Sequence, residues 1–334
     1  MQNNLTKKEI DNLYNWAKKY DIKELKTKDK NKLLDIKELT LGELSRAEKN
    51  FSYIPNEIFK LVNLKELYIN SINLKALPKD IGNLINLEEL VIGSNCKLKK
   101  LPKEIGNLTK LKRLEISCEK LKELPKEIAN FVNLKSLIIS CDKLVKLPKE
   151  ICNFSKLENI EIACENLKEL PHEIGNLKKL KYFTLWESNL KKFPKEFGNL
   201  INLESFSIYS CILKEFPKEL ANFTKLRYLK IECYKMKELP REIGNLINLK
   251  SLYIKSANLK ELPKEIKNLV NLERIDIIWD GYAKRLPNEI LNFEKLKFIE
   301  IKKLGFIYKS VGREYKIEKA KKKIKKNINK TKKG

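Results

Sequence analysis

Proline occurs in this chain only at positions 55, 78, 102, 125, 148, 171, 194, 217, 240, 263 and 287, so that each step from one to the next is 23 or 24. Around each proline the chain reads close to LPKEIGNLxxLxxLxIxxxxLK. Residues 124–146, LPKEIANFVNLKSLIISCDKLVK, are one copy. A fixed period of this length means a stack of like units, because a single copy has no second layer against which to bury its apolar face.

One copy can be read residue by residue. Leu134, Leu137 and Ile139 follow L-x-x-L-x-I, and the last two have strand period and face one way. Ser136, Ile138 and Ser140 then face the other way. Pro125 suits the first position of a short helix, where its missing N–H costs nothing. An acid stands two places after every proline, from Glu57 to Glu289, where it complements the helix dipole. Asn stands five places after ten of the eleven prolines, Lys60 being the exception. Asn tolerates the left-handed conformation, so it is expected to cap the helix C-terminus.

The L-x-x-L-x-L-x-x-N-x-L pattern, with LP recurring once per period, resembles the leucine-rich repeat family in its bacterial and Ras-suppressor-like form, over residues 36–304. The resemblance implies an α/β solenoid of about eleven repeats. It further implies a parallel sheet on a concave side, short helices on a convex side, and binding rather than catalysis. One departure matters. The family's buried Asn is matched by Asn95 alone; elsewhere its place holds Glu119, Asp142, Glu165, Ser188, Cys211, Tyr234 and Ala257. The loop after each strand is therefore expected to differ from the family's. Some bacterial relatives carry a ligase domain after the repeats, for which positions 305–334 leave no room.

Residues 1–35 are expected to form a helical cap. Thr6-Lys7-Lys8-Glu9 is a capping box, Leu5 and Ile10 a hydrophobic staple. Ile10, Leu13, Ala17 and Tyr20 continue at helical spacing, so residues 6–20 read as a helix covering the first coil; the alternative is a partner-binding amphipathic helix. Ile36, Leu39 and Leu41 look like the first strand, and the stretch from Gly42 to Asn50 is longer than the corresponding loops.

Composition excludes more than it identifies. His172 is the only histidine, so a two-His zinc site cannot be built and a Ser-His-Asp triad would rest on His172 alone. Neither GxxxxGK[ST] nor GxGxxG occurs. No enzyme, cofactor, metal or small-molecule substrate is expected. No run of 18 apolar residues marks a membrane span, and the polar stretch from Met1 to Asp11 does not read as a secretory signal. Seven cysteines, an odd number, then read as reduced thiols in a bacterial cytoplasm. Cys118, Cys141, Cys164 and Cys233 share one column of the repeat, where parallel side chains would strain a disulfide.

The net charge is +26, carried by 63 Lys and 7 Arg. Surfaces dedicated to nucleic acid favour Arg, so coding bias and solubility are the plainer reading. Two columns of the repeat are basic, Lys75 to Lys284 after the last repeat Leu and Lys79 to Lys264, with Arg241 among them, after the proline, with an acid beside each of the latter. The tail 305–334 differs. Residues 316–334 hold ten Lys and one Glu, with Ile317, Ala320, Ile324 and Ile328 on one helical face. Lys321, Lys322, Lys323, Lys325 and Lys326 there form an alternative site for nucleic acid or an anionic membrane.

The best site lies on the sheet face that points away from the core. Its early strands carry small residues such as Val91, Gly93, Ser117, Ser136, Ser140 and Ala163; later ones carry Tyr182, Trp186, Tyr209, Tyr228 and Tyr253, with Trp279 one position further on. Tyr and Trp grouped on one rigid face are typical of interface hot spots. A non-enzymatic protein-binding scaffold follows, its partner unidentified by sequence.

Removing residues 316–334 is expected to leave circular dichroism and melting unchanged, since no repeat Leu is lost. Binding to anionic vesicles or oligonucleotides should weaken. Aggregation on truncation would instead make the tail a cover for the last coil.

Overall fold

Each copy described in full contributes one short strand and one five-residue 3-10 helix, and within each unit successive strands pair in parallel. The computed structural model describes residues 5–42, 50–93, 96–279 and 293–303, in two units, Met1–Leu167 and Lys168–Gly334. The first unit holds β1 (Glu38–Leu41), β2 (Glu66–Asn70), β3 (Glu89–Gly93), β4 (Arg113–Ser117), β5 (Ser136–Ser140) and β6 (Asn159–Ala163). The second holds β7 (Tyr182–Trp186), β8 (Ser205–Cys211), β9 (Tyr228–Cys233), β10 (Ser251–Ser256), β11 (Arg274–Trp279) and β12 (Phe298–Lys303). Register follows the repeat: Leu114 lies opposite Leu137, and Leu137 opposite Ile160. Each unit is thus an α/β repeat solenoid, as expected.

The proline and asparagine readings need correction. Pro125 is extended, at φ −67° and ψ 144°, and precedes the helix Lys126–Asn130 rather than opening it. Its carbonyl accepts from the Ile128 N–H at 3.2 Å. Asn130 ends that helix without turning left-handed; among the described residues only Asp21 and Glu187 are non-glycine residues at positive φ. With 3-10 geometry the segment completes its turn in three residues and needs no left-handed cap.

The core is one column of side chains per repeat position. In the copy at 124–146 the inward residues are Leu124, Ile128, Phe131, Leu134, Leu137, Ile139, Cys141 and Leu144, all buried. Strand alternation runs one beat past the strand, so Cys141 points inward and Asp142 outward. At Glu119, Asp142 and Glu165 the place of the family's Asn is thereby exposed and the preceding cysteine takes the inward role, whereas Ser188 is buried and Glu187 exposed. Cys141 Sγ lies 3.9 Å from the Ile116 carbonyl, and Cys164 Sγ 3.9 Å from that of Ile139. Ser71 and Ser256 occupy the same column and donate to Phe51 and Met236 carbonyls. These four coils thus tie their inner loops to an earlier coil.

The outer edge carries a second ladder that sequence reading missed. The residue before each L-x-x-L is Asn or Lys. Asn133 donates to the Thr109 carbonyl at 2.9 Å, and Lys156, one coil on, donates to Asn133 Oδ1 at 2.7 Å. The same pairing recurs at Asn86 with Lys110, Asn202 with Lys225, and Asn271 with Lys295. Two residues further along, Glu88 is flanked by Lys65 and Lys112, and Glu273 by Lys250 and Lys297. Lys112 and Lys297 hold these carboxyls below the usual range, so their contribution is present above the ordinary Glu pKa and fades as pH falls through the lowered value.

At the N-terminus, α1 (Lys7–Tyr20) has the capping box on both sides. It buries Ile10, Leu13, Trp16 and Ala17, and the Trp16 ring lies 5.2 Å from that of Phe51. Glu9 pairs with Lys60 at 2.6 Å. Most of the long loop, 43–49, lies outside the described residues, as does the tail.

The reduced-thiol expectation is corrected. Cys96 and Cys118 form a disulfide, with Cα atoms 4.9 Å apart, and Cys233 is also disulfide-bonded. Both cases sit at irregularities. Leu98 stands six places after Ile92, whereas Leu121 stands five places after Ile116, so Cys96 falls outside the cysteine column. In β8 and β9, Ile208 pairs with Ile231 but Cys211 with Cys233, a one-residue shift. In-column Cys141 and Cys164 stay free and buried, as parallel side chains require. Burial pushes their thiols up to about 11 and about 12, so they are protonated at neutral pH.

Two outcomes are expected in urea unfolding. Leu137→Ala should cost about 3 kcal/mol by opening a core void, whereas Asn133→Ala, at the surface, should cost about 1 kcal/mol. Reducing the Cys96–Cys118 bond, which closes a loop with sequence separation 22, should lower stability by about 3 kcal/mol. Seven free thiols in denaturant after non-reducing preparation would overturn the disulfide.

Candidate functional site

The aromatic face is built by strand alternation in the second unit. In β7, Phe183 and Leu185 are buried, so Tyr182, Thr184 and Trp186 point to solvent. β8 pairs Tyr209 with Trp186, and β9 pairs Tyr228 with Ser205. β10 brings Tyr253 beside Lys230. All five predicted residues thus lie on one face. Behind them a phenylalanine cluster fills the core, with Phe183 to Phe197 at 5.1 Å and Phe183 to Phe206 at 5.6 Å between ring centroids.

The rings divide into two kinds. Tyr182 and Tyr228 are exposed, at 45% and 52%. Trp186 and Tyr209 are half-buried and stacked on each other, 3.7 Å apart and 9° from parallel. Lys230 Nζ then lies 4.4 Å from the Tyr209 ring and 4.5 Å from that of Tyr253, a cation held between two π faces. Glu232 pairs with Lys230 at 3.2 Å and with Lys255 at 3.4 Å. Burial opposes the charge on Lys230, but Glu232 and Tyr209 outweigh it and hold its pKa above the usual lysine range. Burial likewise raises the Tyr253 phenol.

Lys230, Glu232 and Lys255 were not among the residues picked from the sequence. Their signal was present: they occupy the same outward positions as the aromatics. Trp279 is the last residue of β11, opposite Ser256, and its side chain lies outside the described residues. At the start of the same strand, Arg274 binds Asp276 at 2.6 Å and lies 3.9 Å from the Phe298 ring centroid. The alternative site, Lys321, Lys322, Lys323, Lys325 and Lys326, lies wholly outside the described residues.

The corresponding face of the first unit differs in charge. It carries Glu38, Glu66, Glu89, Glu115 and Glu161 against a single Arg113. Arg113 binds Glu89 at 3.0 Å, and Tyr68 donates to Glu66 at 2.8 Å. In a chain of net charge +26, this face is acidic. Among the described residues no helix is long and apolar enough to cross a membrane.

Residues 17–144 and 125–242 match the family described as leucine-rich repeat region. No curated protein matches the chain. Among solved structures, a leucine-rich repeat protein of Leptospira interrogans is 28% identical, with a TM-score of 0.54, over 82% of this chain and 87% of that one. The plant peptide hormone receptor RGFR1 in complex with RGF2 is 28% identical, with a TM-score of 0.57, over 75% of this chain. The match spans 41% of that receptor chain. An internalin, InlF of Listeria monocytogenes, shares the fold at 17% identity and a TM-score of 0.54, over 90% of this chain and 98% of that one. With its repeats matched over more than half its length, the chain belongs to the leucine-rich repeat family.

Proposed function

We propose that the chain is a non-enzymatic scaffold that binds a protein or peptide partner on the aromatic face of its second unit, through Tyr182, Trp186, Tyr209, Tyr228 and Tyr253, with Trp279 at the margin. The observation that carries this reading is the Trp186–Tyr209 stack continued by Lys230 between Tyr209 and Tyr253. These side chains are ordered before any partner arrives, so association costs little side-chain entropy. The exposed Tyr182 and Tyr228 stand beside them as anchors. A family neighbour of 28% identity, RGFR1, is known in complex with RGF2, which supports partner binding as the class of activity.

The alternative, a polyanion binder led by Lys321, Lys322, Lys323, Lys325 and Lys326, draws support from the tail's charge alone. The acidic face of the first unit argues against a nucleic acid lying on the sheet there. The disulfides favour an oxidising compartment over the cytoplasm expected from cysteine count.

The experiment is a capture from native lysate at two salt concentrations, followed by affinity measurement on the captured protein. Tyr182→Ala with Tyr228→Ala should leave stability within about 0.5 kcal/mol, as both rings are exposed, yet cost about 2 kcal/mol or more in binding. Tyr209→Ala should cost about 1 kcal/mol in stability, because it breaks the stack. Binding that is indifferent to the tyrosines but falls steeply with salt and with loss of the tail would favour the alternative.

A further inference from the structure

The two outer ladders of the second unit break at consecutive steps that share the coil of Asn248 and Lys250. In the column two residues after the Asn/Lys position the sequence runs Lys181, Glu204, Arg227, Lys250, Glu273, Lys297. Each Glu is flanked by cations, but between Arg227 and Lys250 no acid intervenes. Lys250 is drawn to Glu273 at 3.4 Å, which it shares with Lys297. Among the described residues Arg227 and Glu204 form no ion pair, and the Arg227 guanidinium is exposed with its donors unused. It is the only Arg in that column in either unit. In the neighbouring column Asn248 is followed by Asn271 rather than by a Lys, so no lysine reaches Asn248 Oδ1 in the manner of Lys225 on Asn202. In the first unit the corresponding breaks, Lys112 beside Lys135 and Asn63 beside Asn86, fall on different coils.

Where the two breaks adjoin, around Asn248 and Lys250, there is a groove of about 410 Å³. Its charged lining is four basic and two acidic side chains, which leaves two positive charges. We infer that this groove binds a dianionic oxyanion of the phosphate monoester type, held by Arg227 and Lys250 with Asn248 at its side. The guanidinium fork matches two oxygens of such a group, and the lysine adds a point charge. A phosphate monoester carries roughly two negative charges near neutral pH, which balances the lining. The inference is independent of the aromatic-face reading, since the groove lies beside the start of the strands and uses none of those rings.

The test titrates the full chain at constant ionic strength with inorganic phosphate, followed by phosphorus NMR linewidth, and separately with a short phosphoserine peptide and its unphosphorylated form. Saturable binding is expected, weakened at least tenfold by Arg227→Gln and strengthened severalfold by Glu204→Gln, which removes an unpaired acid from the groove. Arg241→Gln, an exposed arginine outside the groove paired with Glu242, should leave binding unchanged. Circular dichroism checks that each variant folds. Tighter binding of the phosphopeptide than of phosphate would assign the group to a modified side chain of a partner; equal binding would assign it to a free small molecule; either sustains the site. Non-saturable broadening, equal loss in Arg227→Gln and Arg241→Gln, or displacement by chloride at the phosphate concentration would overturn it. So would an oligonucleotide that binds more tightly than phosphate and is unaffected by Arg227→Gln.

Discussion

One coil of this chain carries eight inward side chains, from Leu124 to Leu144 in the copy at 124–146, and has no second layer of its own to cover them. Only the coils above and below can do so, at a strand spacing of about 4.8 Å. Parallel pairing in the register Leu114 to Leu137 to Ile160 is therefore imposed by side-chain packing as much as by hydrogen bonds. Stability is then close to a sum of like interfaces.

That constraint also governs the polar groups. A backbone carbonyl at the end of each strand sits near the stack's interior and needs a donor. Thiols of Cys141 and Cys164 face such carbonyls, while the hydroxyls of Ser71 and Ser256 in the same column donate to the loop carbonyls of Phe51 and Met236. On the outside, where water competes, Asn side chains bond to the preceding coil and Lys side chains bond to Asn instead. The disulfide at Cys96 appears where the period lengthens by one residue and the thiol leaves its column.

The aromatic face inherits its order from the same source. Trp186 and Tyr209 stack because paired strands hold same-column side chains face to face, and Lys230 sits between two tyrosines because Tyr253 lies directly opposite it and Tyr209 diagonally. The phenylalanine cluster beneath fixes the sheet on which they stand. Side chains on such a sheet are positioned by the core rather than by loops.

The repeat period, the inward Leu and Ile positions, the capping box at Thr6 and the outward direction of the five aromatics were legible in the sequence, because each rests on local periodicity that the chain repeats. The conformation of Asn130 was not, since its left-handed tolerance is a propensity that 3-10 geometry overrides. Neither was the Cys96–Cys118 pairing, which depends on where one extra residue bulges. The Asn–Lys ladder, the clamp around Lys230 and the groove at Arg227 likewise join residues one period apart in sequence through neighbouring coils. Sequence alone determined which side of each strand a residue faces, because alternation is a property of the strand. Only the tertiary structure decided which side chains touch, because contact between coils depends on register, and register shifts between β8 and β9 although the period there does not.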